Sequence, residues 1–435
     1  MTKSIKELSK NELAGKRVLV RVDFNVPQDS DGEITDDSRI KAALPTIKYL
    51  IENDAKTILV SHLGRPKGKV VESMRMDPIA KRLSELLKQD VMKLDEAIGP
   101  DVLSKLMSLE NGGVALLENI RFYEGEEKND PSFSKSLAEL AELYVNDAFG
   151  TAHRAHASTE GVTSYLSPAV AGMLMTSELE MLGTKLDSPE RPFTAIIGGS
   201  KVSSKIAVLK NLVKKVDTLI IGGGMAFTFI KAQGGQIGKS ICEDDQLDTA
   251  REIMSLADDF DTAIIIPEDS LCMSAEVNLF DECKPSDLIE TEVLDSRSIP
   301  ENKQGMDIGP KTRETFAKLI SQSRTVIWNG PVGVFEYDSF EEGTKTCAIA
   351  LAELTNRDGV TIIGGGDSVA ALEKFGLAKE SYTHVSTGGG ASLEFLEGKT
   401  LPGVACLDGY SKDEAASTST KPNRSFDAEL KKASV

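Results

Sequence analysis

Thr218-Leu-Ile-Ile-Gly-Gly-Gly224-Met-Ala-Phe227 is a short aliphatic run that stops on glycine and passes into a helical pattern. It has two counterparts in the same half of the chain. These are Ala195-Ile-Ile-Gly-Gly-Ser-Lys201-Val-Ser-Ser-Lys205 and Ile362-Ile-Gly-Gly-Gly-Asp367-Ser368. None of the three runs alternates apolar with polar residues, which is the signature of a strand covered on both faces. The rhythm extends through the whole chain, with candidate strands at 17–22, 57–61, 114–117, 195–197, 218–221, 262–266, 325–328 and 360–363. Helical spacing fills 77–87, 131–143, 201–213 and 339–354. Strand and helix in alternation predict an α/β fold of parallel sheets built from βαβ units.

A chain of 435 residues is too long for one core, so two domains are expected. Before residue 185, arginine and histidine come after the strand ends; beyond it, glycine does. Residues 178–183 and 187–192 read as a connecting helix and linker between domains 1–185 and 186–390. The polar stretch 411–435 has little to bury and is expected to be a disordered tail.

The chain is 40% hydrophobic and 27% charged, within the range of globular proteins. It has no apolar run of 18 residues, and its first residues lack an apolar signal core, so neither a membrane span nor secretion is expected. A net charge of −18 argues against nucleic acid and anionic membrane as partners, so any anionic substrate needs a local basic pocket. Five cysteines without close pairs suggest neither a disulfide framework nor a zinc site, and point to a reducing compartment. Cys272 and Cys283 are near enough in sequence for a redox pair to be considered, although inert thiols are the simpler reading.

Glycine at the end of a parallel strand lets a ligand approach the backbone, and a helix starting there offers free amides to phosphate. The four-residue spacing of Lys201 and Lys205 predicts one helical face carrying both. Asp367 is suited to hold Mg²⁺ on a polyphosphate. Neither a P-loop nor a dinucleotide fingerprint is present: Gln233 stands where the P-loop glycine before Gly238-Lys239-Ser240 belongs, leaving that triplet as a surface turn. In the first half, Arg39, Arg65, Arg121 and Arg154 with His62 can surround a small acid carrying both phosphate and carboxylate, since arginine contacts both bidentately. Asp23 and Asn25 are placed to hold a hydroxyl or orient an arginine, and Asp23 has Arg21 and Arg39 as alternative partners.

Taken together, the motifs resemble one family. Arg21-Val-Asp-Phe-Asn-Val-Pro27, Ser61-His-Leu-Gly-Arg-Pro66, Glu118-Asn-Ile-Arg-Phe122, Asn146-Asp-Ala-Phe-Gly150, His153-Arg-Ala-His-Ala-Ser158, Gly198 to Lys205, Trp328-Asn-Gly-Pro331, Val334-Phe-Glu336, Gly364-Gly-Gly-Asp-Ser368 and Ser386-Thr-Gly-Gly-Gly-Ala391 resemble phosphoglycerate kinases, in family order. The Gly198–Lys205 form is similar to the cyanobacterial and plastid branch, which leaves both cytoplasm and chloroplast stroma open.

The resemblance implies two Rossmann-like domains separated by a cleft and joined by a hinge helix, in a monomer whose segment 391–410 returns to the first domain. It implies a first domain binding 3-phosphoglycerate or 1,3-bisphosphoglycerate through Asp23, Asn25, Arg39, His62, Leu63, Gly64, Arg65, Arg121 and Arg154. It implies a second domain binding ADP or ATP with Mg²⁺ through Lys205, Gly224, Gly305, Glu336, Gly365, Gly366, Asp367 and Ser368. Arg39 and Lys201 would meet the moving phosphoryl group. The acceptor is a carboxylate, already ionised, so alignment and charge neutralisation suffice and no general base is required. A different nucleotide-dependent kinase of a small acid, or an inactive relative acting as a scaffold, are the rival readings; retention of every charged site residue argues against the second.

Overall fold

The computed structural model describes residues 2–277 and 290–411. The chain divides into two compact units: one runs to Glu180 and takes in the segment from Thr400, the other is Met181–Lys399. Each is organised around its own parallel sheet; seven of the eight apolar runs supply interior strands, the run 262–266 supplies the edge strand of the second sheet, and one interior strand of the first sheet, Leu143–Asn146, comes from outside those runs.

In the first unit, β1 (Arg17–Arg21), β2 (Lys56–Val60), β3 (Val91–Lys93), β4 (Val114–Leu116), β5 (Leu143–Asn146) and β6 (Ala169–Ala171) form one sheet. Its order is β3-β4-β2-β1-β5-β6, and every neighbour is parallel. Val18, Val20 and Leu59 are buried with Ile40 and Ile47 of the helix Ser38–Glu52 and Leu83 of the helix Asp77–Leu87. The second helix starts with proline in its first turn, where the missing N–H costs nothing, and stops at Lys88 in the left-handed region. The segment from Thr400 is tied to this unit: Asn146 Nδ2 donates to Gly403 O at 2.8 Å, Asp408 N to Ala169 O at 2.8 Å, and Lys3 N to Asp408 O at 2.7 Å.

The second unit contains β7 (Phe193–Ile197), β8 (Thr218–Ile221), β9 (Gln236–Ile237), β10 (Ala263–Ile265), β11 (Asp269–Ser274), β12 (Thr291–Asp295), β13 (Ser298–Ile299), β14 (Lys303–Ile308), β15 (Thr325–Asn329), β16 (Val360–Gly364) and β17 (His384–Val385). Its main sheet runs β10-β8-β7-β15-β16-β17, all parallel, around Trp328, Ile196, Ile220 and Ile363. A small antiparallel sheet, β12-β11-β14, and the short β9–β13 pair lie outside the expected pattern. In each main sheet the order reverses beside the first strand, between β1 and β5 and between β7 and β15. Loops leaving such neighbours diverge and open a crevice at the carboxyl ends.

Two sequence readings change. The helical pattern 131–143 is the helix Pro131–Ala138 followed by the strand β5, whose Leu143-Tyr-Val-Asn continues the leucine spacing. The pattern 201–213 is helical only over Ile206–Leu212. Lys201 and Lys205 therefore precede the helix, in the turn that comes after β7, and do not share a helical face. At the boundary of the units, the helix Met173–Leu179 passes into a π-helical turn, Glu180–Thr184, and a last turn, Lys185–Asp187. Among the described residues no helix is long and apolar enough to cross a membrane.

Candidate functional site

The carboxyl ends of the first sheet gather cations. Asp23 comes just after β1 and accepts Arg39 Nη1 at 2.7 Å, so of its two candidate partners Asp23 takes Arg39. Asn25 Oδ1 accepts Gly64 N at 2.8 Å, which fixes the loop after β2 to the loop after β1. Arg121 Nη1 donates to the Gly64 carbonyl at 2.9 Å, and Arg121 Nε lies 3.4 Å from Glu127. Asn119 clamps the same loop from behind, with Nδ2 donating to Leu63 O at 2.8 Å and Oδ1 accepting Leu63 N at 3.2 Å. Arg154 Nε donates to His153 Nε2 at 3.2 Å. Arg65 is exposed and has no ion pair among the described residues.

His62 reports the field these groups produce. Its imidazole pKa is held well below the usual range, first by burial and then by the charges of Arg21, Arg121, Arg39 and Arg154. Burial, with Arg121, Arg21 and Arg154 next in weight, pulls His156 down to about 4. Both rings are neutral at physiological pH. Guanidinium groups from β1, the helix after it and the loops after β4 and β5 thus converge on one place, which suits a multiply charged anion.

In the second sheet a cavity of about 270 Å³ opens at the β7/β15 reversal. Its lining includes Gly198, Lys205, Asn329, Gly365, Gly366 and Asp367. Gly365 sits at φ +90°, a conformation that a side chain would strain, just before the helix Gly366–Lys374. Burial lowers the Lys205 ammonium to about 8, with Asp367 pulling it back in part. Lys205 donates to Asn329 Oδ1, and Asn329 Nδ2 is buried without a partner among the described residues. An ammonium, a free amide donor and a helix N-terminus at one cavity make an anion cradle. Asp367 is exposed and is the one carboxylate of the lining. Among the described residues no group of three or more His, Cys, Asp or Glu forms a metal cage. A single carboxylate suits Mg²⁺ that arrives on phosphates and keeps its waters.

The structure brings together Lys205, Gly365, Gly366 and Asp367, and leaves other candidates outside the lining. Ser368 is buried behind it, its Oγ accepting Gly330 N at 2.7 Å. Lys201 and Glu336 are exposed. Gly224 and Gly305 answer to close packing: an added Cβ would lie 2.3 Å from Ile241 Cγ2 and 2.2 Å from Phe227 Cζ, respectively. The Gly238–Ser240 turn is not wholly a surface feature, because Ser240 is buried and its Oγ accepts Gly305 N at 2.9 Å. A larger cavity of about 570 Å³ in the first unit is lined by Glu33, Asp36, Asp37, Asp77, Lys81 and Arg82 among others. Acidic and internally paired, it is ill suited to an anion.

Arg21, Asn119 and Asn329 stand in the quoted motifs but without a place in the expected site, Arg21 entering only as an alternative partner of Asp23. Asn329 ends a strand that was expected, so the rule that found the glycines also covers it; Arg21 and Asn119 act behind the surface, where no sequence signal distinguishes them. Cys242, Cys272, Cys347 and Cys406 are free. Burial pushes the thiols of Cys272 and Cys347 up to about 12 and that of Cys406 to about 11, so none of these three is a ready nucleophile. Cys283 lies outside the described residues.

A family model described as phosphoglycerate kinase matches residues 8–399. The chain is 56% identical over 406 residues to the phosphoglycerate kinase of Prochlorococcus marinus (strain MIT 9211), covering 93% of this chain and 98% of the relative. It is 55% identical over 409 residues to that of Acaryochloris marina, covering 93% and 99%. Among solved structures, phosphoglycerate kinase from Coxiella burnetii aligns with a TM-score of 0.82 at 42% identity, covering 94% of this chain and 99% of that one. The enzyme from Pyrococcus horikoshii aligns with 0.76 at 32%, covering 96% and 100%.

Proposed function

The chain belongs to the phosphoglycerate kinase family, in its cyanobacterial-like branch, and on that premise we propose how its two strand-end sites divide the work. Its reaction is reversible phosphoryl transfer between 1,3-bisphosphoglycerate and ADP, giving 3-phosphoglycerate and ATP; it is a phosphotransferase with a carboxyl acceptor.

The phosphoglycerate binds at the first sheet. Arg65, Arg121 and Arg154 hold its phosphate, Asp23 and Asn25 its hydroxyl, and His62 and Arg39 its carboxyl end, with the Leu63–Gly64 backbone shaping the loop. The observation that carries this reading is the convergence of four arginine charges on His62 in a chain of net charge −18. Nucleotide phosphates bind at the second sheet, against Lys205 and the helix amides from Gly366, with Ser368 bracing the loop. Gly224, Gly305 and Glu336 serve the nucleoside end. Asp367 holds Mg²⁺, which supplies charge neutralisation on the phosphates when bound. Arg39 and Lys201 supply positive charge to the moving group, and neither needs to exchange a proton, since donor and acceptor oxygens are both ionised.

Four free thiols, two of them buried, support a reducing compartment, cytoplasm or stroma, and a monomer needs no further surface for this chemistry. A coupled assay with 3-phosphoglycerate and MgATP tests the whole reading. Turnover is expected with the wild type, and Arg65→Ala is expected to raise the KM for 3-phosphoglycerate far more than that for MgATP. Equal effects on both would overturn the division of labour.

A further inference from the structure

Arg21, 1% exposed, is the most deeply buried guanidinium among the described residues of the first unit, and among those residues no carboxylate touches it. A buried guanidinium without a compensating anion is costly. Its partner acid is Glu126, wholly buried and reached through one hydroxyl; burial raises that carboxyl's pKa and the Arg21 charge pulls it back in part. Ser158 Oγ donates to Glu126 Oε1 at 2.7 Å and Ser158 N to Glu126 Oε2 at 2.9 Å. The same hydroxyl accepts Arg21 Nε at 2.8 Å. Arg21 Nη1 donates to the Val22 carbonyl, and Nη2 lies 3.3 Å from His62 Nδ1. The guanidinium is held on three edges and has no freedom to turn.

Guanidinium can only donate. As a hydrogen bond its contact with Nδ1 makes that nitrogen the acceptor and puts the ring proton on Nε2, and the one carboxylate facing Nδ1 among the described residues, Asp23 Oδ1 at 3.9 Å, is too far to hold a proton there. Among the described residues Nε2 has no hydrogen-bond partner, so its N–H is free for a ligand.

We propose that the buried Glu126–Ser158–Arg21 chain is a positioning device that locks His62 in the Nε2–H tautomer, presenting a neutral donor to the substrate. Ser158 and Glu126 are positioning residues, acting on the acid through Arg21 and His62. The depressed His62 pKa agrees, because a charged ring would face Arg21 with a second proton. The inference rests on the reading of His62 as a substrate residue only for its kinetic consequence; the tautomer is a property of the protein alone.

The test is the ring nitrogen spectrum of ¹⁵N-histidine-labelled full-length protein, with His62→Gln to assign the signal. Wild type is expected to show the Nε2–H pattern at pH 7. Ser158→Ala removes the bridge and is expected to give a mixture of tautomers. It should also raise the KM for 3-phosphoglycerate on the order of tenfold, the usual worth of one lost hydrogen bond to a charged partner, with the KM for MgATP unchanged. Ser158→Thr keeps the hydroxyl and is expected to restore both. Arg21→Lys, which cannot span Ser158 and His62, gives a second route if the alanine variant folds poorly. An unchanged Nε2–H pattern in folded Ser158→Ala and Arg21→Lys overturns the proposal. A shifted tautomer with an unchanged KM supports the lock and removes His62 from the substrate site instead.

Discussion

Burial lowers Lys205 to about 8 from an ordinary value of 10.5, and Asp367 offsets only part of that. Between those two values the unfolded chain holds a proton that the folded chain has released. Stability contributed by this group therefore rises as pH climbs from about 8 to about 10.5, and the charged form is penalised below. Nucleotide phosphates bound at Lys205 would reverse the penalty by supplying the missing anion. Binding of MgADP near pH 8.5 is expected to take up protons. Calorimetric titration in two buffers of different ionisation heat measures that uptake, and Lys205→Met should abolish it; equal heats in both buffers with wild type would exclude Lys205 as a phosphate ligand. Arg39 makes the opposite case, a half-exposed guanidinium already paired with Asp23. Removing a charge that matters most in the transition state costs ~3 kcal/mol, or about a hundredfold. Arg39→Ala should lower kcat by that order, and a kcat within about twofold of wild type would remove Arg39 from the transfer step. Lys205 was legible in the sequence because it stands in the turn after an apolar run, whereas Arg39, in the first turn of the helix Ser38–Glu52, was legible as an arginine in a half rich in strand-end cations. Arg21, Ser158 and Glu126 were not, because nothing in a sequence distinguishes a buried guanidinium from a surface one.

At the scale of elements, the second site exists because two loops almost touch. An added Cβ on Gly198 would lie 2.0 Å from Pro331 O and 2.6 Å from Gly330 O, both backbone atoms that cannot swing aside. Gly198 N donates to Asn329 O at 3.0 Å, and Gly199 N to Pro331 O at 3.0 Å, which knits the ends of β7 and β15 together. Gly198→Ala should destabilise the second unit by about 2 kcal/mol, as overpacking typically does, and weaken MgADP binding in parallel. Denaturant unfolding tracked by the fluorescence of Trp328, the chain's one tryptophan, buried on β15 beside this loop, reads the change. A wild-type midpoint would mean the loops have slack. The central strands other than Leu143–Asn146, which reads as the end of a helical pattern, were visible in advance as unbroken apolar runs. Val91–Lys93 and Ala169–Ala171 were not, because Val-Met-Lys and Ala-Val-Ala are three residues long with one β-branched residue each, too little to mark a strand. The antiparallel sheet hides for another reason: Asp269–Ser274 and Lys303–Ile308 mix polar with apolar residues in a pattern too irregular to name a period.

For the molecule as a whole, two halves were legible because the residues at the strand ends change from arginine and histidine to glycine, and each half folds around its own sheet. The π-helical turn that ends the helix before the boundary was not legible, since one extra residue per turn leaves no compositional trace. The reaction places a requirement on both units together. Phosphoryl transfer needs reacting atoms within about 3.5 Å, with water excluded while both substrates are bound. If the acid binds on one unit and the nucleotide on the other, only a complex holding both ligands brings the two anions and their cationic partners to one point. Each bound anion also neutralises basic groups of its own unit. Either ligand alone does half of this. Small-angle scattering on the full chain should therefore give a smaller radius of gyration with 3-phosphoglycerate and MgATP together than with either alone. Arg65→Ala, by weakening the acid's binding, should shift the contraction to higher 3-phosphoglycerate concentration without changing its size. A radius that is the same with no ligand, one ligand and both would mean that binding does not drive the units together, and transfer would have to proceed from an arrangement already in place.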